Sequence, residues 1–343
     1  MSDRAVILGG SGFIGMHLAR RIAQTMRPTD DLVLVDDFSR GKEDLEFGEF
    51  LAANPRVQFI SADLTEQTAF EALTGPFSRV YLLAAIVGVR NAETMPERVL
   101  RTNTLIALNT LEWMVESRSE RLFFAGTSEV YAGGVLSGMV SVPTSEAVPI
   151  IFDDLLNPRF SYAVSKLWGE AAMQYWGSQS GVKIVTGRFH NVYGPRMGTD
   201  HVIPELALRL LAGEDPLTVR SVDQTRAFCY VDDAVGAIIS LLEADAAVGK
   251  TVHIGDDRAE VTIGEVVESV MRALGITRTI EALPPPAGSV HRRAPDISLL
   301  RQLTGYTPTT SLDEGVRSTV SWYREHRMRF ASKYPGLAKG ESA

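Results

Sequence analysis

Short apolar runs and longer amphipathic stretches alternate along the first 190 residues of the chain. Residues 5–8 are the first apolar run, and a helical spacing of apolar residues follows through Ile14, Leu18 and Ile22. Apolar runs without polar alternation are typical of parallel strands that are buried on both faces. Further runs predict strands at 31–35, 57–60, 80–85, 122–125 and 183–186, and the longest helices are predicted near 97–117 and 161–179. The pattern therefore predicts an α/β fold, a doubly wound parallel sheet of the Rossmann type.

Glycine and proline residues interrupt this rhythm beyond Gly194 and Pro195. A helix predicted at 231–243 and a strand predicted at 251–254 return to the sheet. The proline triplet 284–286 is expected to be a stiff loop. We expect a main Rossmann domain at 1–190 with 227–255 returning to it, a smaller lobe from 191–226 and 256–330, and a loose tail at 331–343.

Composition and charge narrow the class of protein. The chain has 343 residues, of which 45% are hydrophobic and 22% charged, as is ordinary for a globular protein. A net charge of −8, with no tract that concentrates the 34 Lys and Arg residues, argues against nucleic acid as a partner. No run reaches about 18 apolar residues, and the first strand begins without a leader-like segment. We expect a cytoplasmic protein with no membrane partner and no metal site, with Cys229 in the core.

Four glycines follow the first predicted strand. Gly9 allows the tight turn out of the strand, and Gly12 lets the backbone approach a pyrophosphate. Gly15 lets the following helix pack closely, and the N–H groups at the start of that helix face the phosphates. A strand, glycines and a helix in this order predict a dinucleotide-binding loop.

An acidic residue, Asp36, ends the second predicted strand, about 20 residues beyond the glycines. A carboxylate at this position accepts hydrogen bonds from the adenosine ribose hydroxyls. It also repels a ribose phosphate, which favours NAD over NADP, although Arg40 lies nearby. The predicted cofactor is therefore NAD, with contacts from Gly9, Gly12, Phe13, Ile14, Asp36, Asp37, Ser39 and Arg40.

Tyr162 and Lys166 are four residues apart in a predicted helix and so share one of its faces. We expect the ammonium group to lie near the phenol and to lower its pKa. A phenolate takes a proton from a sugar hydroxyl while a hydride leaves for the nicotinamide. Because the pair follows a dinucleotide-binding fold, both residues are predicted to be catalytic and to contact the cofactor.

Polar residues follow the predicted strand at 122–125 directly. The carboxyl ends of parallel strands face the ligand crevice of such a sheet. The hydroxyl of Thr127 can hold a substrate oxygen beside Tyr162, and Glu129 can act on a neighbouring carbon. Thr127, Ser128 and Glu129 therefore complete the predicted catalytic residues.

From about residue 4 to 325, these motifs resemble the extended short-chain dehydrogenase/reductase family, which contains NAD-dependent nucleotide-sugar epimerases, dehydratases and decarboxylases. The resemblance implies further cofactor contacts from Asp63, Leu64, Leu83, Ala84, Ala85 and Asn103. It implies substrate contacts from Asn191, Arg196, Arg226 and Arg293. A guanidinium group suits a doubly charged diphosphate. His190, next to Asn191, is expected to be a packing residue.

The residues beside Thr127 bear on the reaction that the resemblance implies. The shared first step is hydride removal at sugar C4, which gives a 4-keto intermediate. Ser128 and Glu129, together with residues 157–160, resemble UDP-glucuronate decarboxylases, whereas dehydratases usually carry Asp-Glu after the threonine. The segment 133–158 is longer and more apolar than in simple 4-epimerases. Decarboxylation of UDP-glucuronate is therefore the leading prediction, followed by 4- or 5-epimerisation and then by 4,6- or 5,6-dehydration.

Two alternatives of other classes remain open at this point. An NADPH-dependent keto-sugar reductase would consume its cofactor, and Asp36 argues against it. A non-catalytic protein that keeps NAD as a structural element would not need Thr127, Tyr162 and Lys166.

The two long helices also carry more apolar residues than one buried face requires, among them Trp113, Met114, Met173 and Trp176. The family pairs these helices between subunits, so a homodimer through 97–117 and 161–179 is expected.

Overall fold

The computed structural model describes residues 3–40, 43–258, 260–285 and 289–338. The strands are β1 Arg4–Leu8, β2 Asp31–Asp36, β3 Val57–Ser61, β4 Arg79–Leu82, β5 Arg121–Thr127, β6 Lys183–Phe189, β7 Val192–Tyr193, β8 Leu217–Arg220, β9 Thr225–Ala227, β10 Cys229–Tyr230, β11 Thr251–Ile254, β12 Glu260–Thr262, β13 Ile280–Leu283 and β14 Arg292–Arg293. The α-helices are α1 Phe13–Thr25, α2 Leu45–Ala53, α3 Val89–Thr94, α4 Pro96–Glu116, α5 Ala132–Leu136, α6 Phe160–Ser180, α7 Val202–Leu211, α8 Val231–Glu243, α9 Ile263–Leu274, α10 Ser298–Thr304 and α11 Leu312–Glu325. Short 3-10 helices span Gln67–Phe70, Ser128–Tyr131, Asp245–Ala247, Arg327–Phe330 and Pro335–Ala338.

In the described part of the chain, seven parallel strands form the main sheet in the order β3-β2-β1-β4-β5-β6-β11. Reversal of strand order on either side of β1 is the doubly wound arrangement. The central strands are buried along most of their length, as expected for a sheet with helices on both faces. The predicted Rossmann-type α/β fold is therefore confirmed.

Hydrophobic clusters lie on the two faces of this sheet. On one face, α1 and α8 pack together, with Met16, Leu18 and Ile238 fully buried. On the other face, α4 and α6 pack against each other and bury Met114 and Met173 completely. The chain returns to the main sheet through α8 and β11, which pairs with β6.

The smaller lobe lies after the main run of parallel strands. Helices α7, α9 and α11 pack together, β8 pairs with β13, and β9 lies between β12 and β14. Helices α9 and α11 each begin with a capping box, in which Thr262 pairs with Glu265 and Ser311 with Glu314. Because β9 and β14 are adjacent, the lobe brings Arg226 and Arg293 into register.

Residues 331–338 are the described part of the segment expected to be a loose tail at 331–343. Leu337 is only 3% exposed, and a Cβ on Gly336 would lie 2.2 Å from the Ala212 carbonyl oxygen. These residues pack on the end of α7, and this packing buries the Leu337 side chain. Residues 339–343, and Pro286 of the proline triplet, lie outside the described residues.

Candidate active site

The candidate functional residues lie at the carboxyl edge of the main sheet. Strands β1, β4, β5 and β6 are parallel, so the segments that follow them meet at this edge. Thr127, the last residue of β5, is opposite Phe189 on β6. The residues that follow these two, Ser128 and His190, line one cavity.

The conformation of the glycine loop after β1 requires residues that have no Cβ atom. Gly9 has a φ of +95°, and a Cβ there would lie 2.6 Å from the Ala84 nitrogen. A Cβ on Gly15 would lie 2.1 Å from the Gly9 carbonyl oxygen, so α1 can start this close to the loop only with glycine. The N–H groups of Gly9 and Gly10 bond to the Val35 carbonyl at 2.8 and 3.1 Å, which fixes the loop against β2.

Asp36 closes β2 beside this loop. Its two carboxylate oxygens accept hydrogen bonds from the backbone N–H groups of Ser11 and Phe38, each at 3.0 Å. An ionised carboxylate has about four lone-pair sites, so it retains capacity for ribose hydroxyls. The buried Ser11 hydroxyl has no partner among the described residues, which suits a phosphate oxygen. The glycines, the carboxylate and the hydroxyl together fit a dinucleotide.

The segment after β4 carries several of the other predicted cofactor residues. The N–H groups of Leu83 and Ala84 bond to the Leu8 carbonyl, so the segment after β4 runs along the loop. The Asn103 amide bonds to both backbone groups of Ile86 and to the Ser165 hydroxyl, and it therefore shapes that segment. Leu64 is buried, and Phe13, Ile14 and Ala85 are half-buried. Asp37, Ser39, Arg40 and Asp63 are exposed.

Tyr162 lies in the first turn of α6, close to Thr127. Burial raises the pKa of Tyr162 to about 12, and the negative charge of Glu129 acts in the same direction. A hydrogen bond with Thr127 and the charge of Arg40 lower that pKa by less. The phenol is therefore protonated at neutral pH in the chain alone.

In the chain alone, the groups that lower the pKa of this phenol are Thr127 and Arg40. The expected effect of Lys166 on that pKa stays a prediction. The Lys166 side chain is buried, its ammonium group lies 5.0 Å from the Phe124 ring centre, and burial lowers its pKa to about 7. At neutral pH such a lysine carries only part of its charge, which weakens its effect on a neighbour.

Glu129 and Arg293 form an ion pair across 164 residues of sequence. Glu129 lies in the 3-10 helix after β5, and Arg293 ends β14. Burial raises the pKa of Glu129, but the charges of Arg293, Arg159 and Arg226 outweigh burial and lower it. This carboxylate is therefore ionised, with three guanidinium groups acting on it.

Arg226, whose charge acts on Glu129, and Asn191, which follows His190, lie beside these residues. The Arg226 guanidinium donates to the backbone carbonyls of Thr225, Val290 and His291. Burial and the charge of Arg293 lower the pKa of Arg226 to about 10. The Asn191 side chain donates to the Ala227 carbonyl at 3.1 Å. In the chain alone, both residues hold backbone segments together.

The structure does not bring Arg196 to this group. Its guanidinium bonds to Asp44 at 2.7 and 2.8 Å and to Glu46 at 3.1 Å, at the start of α2. These carboxylates neutralise the charge that the predicted contact with a diphosphate would use. We therefore drop Arg196 from the proposed substrate contacts.

The segment 133–158 covers the site from one side. The backbone N–H of Thr144 donates to the Ala294 carbonyl at 2.9 Å, and the Thr144 carbonyl accepts from the Asp296 N–H at 2.7 Å. Both partners lie in the segment directly after Arg293. Val148, Ile150 and Phe152 pack against a small core at the start of α6. The extra length therefore supports Arg293, a role that sequence reasoning missed because it depends on contacts distant in sequence.

A buried polar network lies beneath the site. Arg188 pairs with Glu170 through bonds of 2.6 and 3.0 Å and also donates to the Tyr131 hydroxyl. His253 bonds to the Tyr131 hydroxyl at 2.7 Å and to the Asp296 carbonyl at 3.0 Å. His190 stacks on this network, and sequence reasoning had assigned it to packing alone.

The described ranges contain neither a membrane-spanning helix nor a metal-binding cluster of side chains. Within these ranges, every helix is too short or too polar to cross a membrane. Across the same ranges, no group of three or more His, Cys, Asp and Glu side chains is arranged to hold a metal ion.

Comparisons with known proteins agree with this geometry. The model of the NAD dependent epimerase/dehydratase family matches residues 5–255. The chain is 30% identical to the UDP-N-acetyl-alpha-D-glucosaminuronate decarboxylase of Bacillus cytotoxicus, over 95% of this chain and 99% of that relative. It is 28% identical to UDP-glucuronic acid decarboxylase 1 of Xenopus tropicalis, over 94% of this chain and 72% of that relative.

A solved structure shares the same architecture. The UDP-glucuronic acid 4-epimerase of Bacillus cereus, in complex with UDP-glucuronic acid and NAD, superposes with a TM-score of 0.81 at 26% sequence identity. The match covers 94% of this chain and 99% of that one. The similarity therefore extends through both the main sheet and the smaller lobe.

Proposed function

This chain belongs to the NAD-dependent epimerase/dehydratase family, and we propose that it decarboxylates a UDP-linked uronic acid, with UDP-glucuronate as the first substrate to test. Membership makes it an NAD-dependent nucleotide-sugar enzyme. The decarboxylation, and the role of each residue in it, are our proposal. The reaction would oxidise sugar C4 to a ketone, release carbon dioxide from C5 and reduce C4 again.

The glycine loop, Ser11 and Asp36 would hold the cofactor. Bound NAD would accept and return a hydride at C4 and bring a positive charge that lowers the pKa of Tyr162. The phenolate of Tyr162 then takes the proton of the C4 hydroxyl. Thr127, which lowers the pKa of the phenol, would keep the sugar oxygen beside it.

Release of carbon dioxide follows from the ketone. With C4 oxidised, the C5 carboxylate is a β-keto acid, and its C–C bond breaks to leave the electron pair as an enolate over C4 and C5. Arg293 would hold the carboxylate, and Glu129 would then lose its cationic partner and take up a solvent proton, because burial raises its pKa. Glu129 gives this proton to C5. Tyr162 returns its proton to the C4 oxygen as the hydride returns.

The observation that carries the proposal is the ion pair between Glu129 and Arg293, because it places a guanidinium group beside the predicted catalytic residues. The charges of Arg159 and Arg226 also act on Glu129. A sugar carboxylate supplies a further negative charge, which makes an acidic sugar a better occupant than a neutral one. The named decarboxylases that match almost the whole chain support the same reaction.

Epimerisation at C4 is the second candidate. It needs only Thr127 and Tyr162, and the solved 4-epimerase structure has bound UDP-glucuronic acid. Epimerisation at C5 ranks beside it. Dehydration is less favoured, because a sugar without a carboxylate would leave Arg293 paired with Glu129, and the lowered pKa of Glu129 in that pair makes it a poor acid for a leaving hydroxyl.

Incubation of the purified protein with candidate substrates tests the proposal. We expect UDP-glucuronate to lose carbon dioxide without net consumption of NAD, and UDP-glucose and UDP-N-acetylglucosamine to remain unchanged, as read by mass spectrometry. UDP-N-acetylglucosaminuronate belongs in the same experiment because a relative is named for it. An isomer of unchanged mass would establish an epimerase instead, and loss of water a dehydratase. Stoichiometric consumption of NADPH would establish a reductase.

We also propose that a second copy of the chain covers the outer face of α4 and α6. Of the apolar residues predicted on these helices, Trp113, Met114 and Met173 lie in the protomer core, so they cannot form an interface. Trp168 and Trp176 on α6 are each 39% exposed and Tyr175 is 73% exposed, and Leu100 on α4 is 37% exposed. Aromatic side chains of this kind are typical of interfaces.

Sedimentation velocity tests this surface. We expect the native chain to be a dimer at micromolar concentration and the double variant Trp168→Glu, Tyr175→Glu to dissociate about 100-fold more readily, since charges would be buried in an apolar interface. Met328→Glu is the matched control, because Met328 is 60% exposed on the smaller lobe. A native chain that sediments as a monomer would refute the proposal.

A further inference from the structure

His190 is a buried histidine next to the proposed site. It is 1% exposed, and neither ring nitrogen has a partner among the described residues. Burial and the nearby charges lower its pKa well below the usual range, so the ring is neutral, with one N–H donor and one acceptor. Buried polar groups in folded proteins are almost always satisfied, so this ring requires an explanation.

The neighbouring rings cannot supply the missing partners. His190 contacts His253 with ring centres 4.5 Å apart and stacks on Tyr131 at 6.3 Å. His253 already uses both nitrogens, on the Tyr131 hydroxyl and the Asp296 carbonyl, and Tyr131 also binds Arg188. The network is complete without His190.

His190 lines a small cavity together with residues of the proposed sugar site. The cavity volume is about 10 Å³, roughly what one water-sized group needs. Ser128 and Arg293, both proposed to act on the sugar, line the same cavity, and Ala132, Val135, Val142 and Val290 make much of its remaining wall apolar. Its size and lining fit a single oxygen atom that accepts hydrogen bonds.

We propose that His190 is a specificity-determining residue that donates a hydrogen bond to one oxygen of the sugar carboxylate, beside Arg293. This inference rests on the proposed decarboxylation and extends it to a second contact with the same group. Arg293 attracts any anion, whereas a cavity for one oxygen beside it selects the geometry of a carboxylate at C5. A neutral imidazole serves here because it donates without adding another charge to the three guanidinium groups.

Binding measurements on NAD-loaded protein test this contact. In a Tyr162→Phe background, which prevents turnover, dissociation constants are measured for UDP-glucuronate and UDP-glucose, which differ at C6. We expect His190→Phe to weaken UDP-glucuronate binding on the order of 10-fold to 100-fold and to leave UDP-glucose binding unchanged, as for a lost hydrogen bond to a charged group. His190→Gln, which restores an N–H donor, should recover part of the preference.

Val135→Ala is the matched control, because it changes the cavity wall without removing a polar atom. It should alter both dissociation constants by a similar factor. If His190→Phe weakened the binding of both ligands equally, the ring would contact a hydroxyl group or a structural water, and the inference would be overturned. It would also be overturned if the variant left the ratio of the two dissociation constants unchanged. If His190→Phe does not fold, an unchanged ratio in His190→Ala, which also lacks the N–H donor, would overturn it.

The outcome also separates this inference from the proposed function. A native chain that decarboxylates UDP-glucuronate while His190→Phe retains the native KM overturns the role of His190 alone. A native chain that neither prefers nor decarboxylates UDP-glucuronate overturns both. Loss of the preference together with intact folding supports the contact.

Discussion

Substitution of Tyr162 by phenylalanine is expected to lower kcat by about 1,000-fold, within the range for loss of a positioned acid–base group. The phenol is the proposed base in the first step and the proposed acid in the last, so both hydride transfers lose their proton partner. The ring itself remains, and NAD binding should change little. The measurement is steady-state turnover of UDP-glucuronate, with NAD affinity followed in parallel.

Tyr175→Phe on the same helix is the control for this substitution. Tyr175 is 73% exposed, and its side chain lies outside the proposed site. We expect its kcat to remain within about 2-fold of the native value, as for a surface change with no partner in the reaction. If Tyr162→Phe retained more than about a tenth of the native turnover, proton transfer by Tyr162 would be excluded.

Substitution of Arg293 by leucine should lower kcat/KM for UDP-glucuronate by about 1,000-fold, as expected when one partner of a desolvated charge pair is removed. The loss has two causes. The sugar carboxylate would lose its cation, and Glu129 would lose the main group that keeps it ionised in the free chain. Steady-state kinetics with UDP-glucuronate measures the combined effect.

The effect of Arg293 on the pKa of Glu129 can be measured separately in the ligand-free protein. Because burial is the largest influence on Glu129 and raises its pKa, removal of Arg293 should raise that pKa. Glu129 in the variant should therefore take up its proton at a higher pH than in the native chain. Titration of the side-chain carboxyl carbon by NMR gives this pKa directly, and an unchanged value would contradict the ion pair.

Arg292→Leu is the control at the adjacent position. Arg292 is exposed and pairs with Glu260 at 2.8 Å on the surface of the lobe. Surface ion pairs contribute little to stability, so this variant should behave almost as the native chain does. Equal losses from Arg292→Leu and Arg293→Leu would indicate a general effect of charge in β14 and not a specific contact.

The glycine loop and the acid after β2 could be predicted from the sequence because their chemistry is local. A strand, a turn that excludes Cβ atoms and a helix follow within about a dozen residues, and the steric reasons are visible residue by residue. The structure adds that Gly15 is required by the Gly9 carbonyl oxygen, 2.1 Å from its hypothetical Cβ. That contact closes the loop on itself.

The partners of Arg196 and Arg293 could not be predicted from the sequence. Arg196 and Arg293 were assigned alike from motif resemblance, yet one pairs with Asp44 and Glu46 on α2 and the other with Glu129. A guanidinium group binds whichever carboxylate the fold brings near it, and this choice is not encoded within a few residues. Only the packed chain could separate the two.

The amino-acid sequence by itself determined the alternation of strands and helices, the dinucleotide loop and the spacing of Tyr162 and Lys166, because side-chain period and backbone sterics act over short distances. The tertiary structure alone decided the Glu129–Arg293 pair, the unpartnered His190 and the burial that sets the pKa values of Tyr162 and Lys166. Burial and charge depend on neighbours that come from distant parts of the chain, and these meet only after the sheet and the lobe have packed.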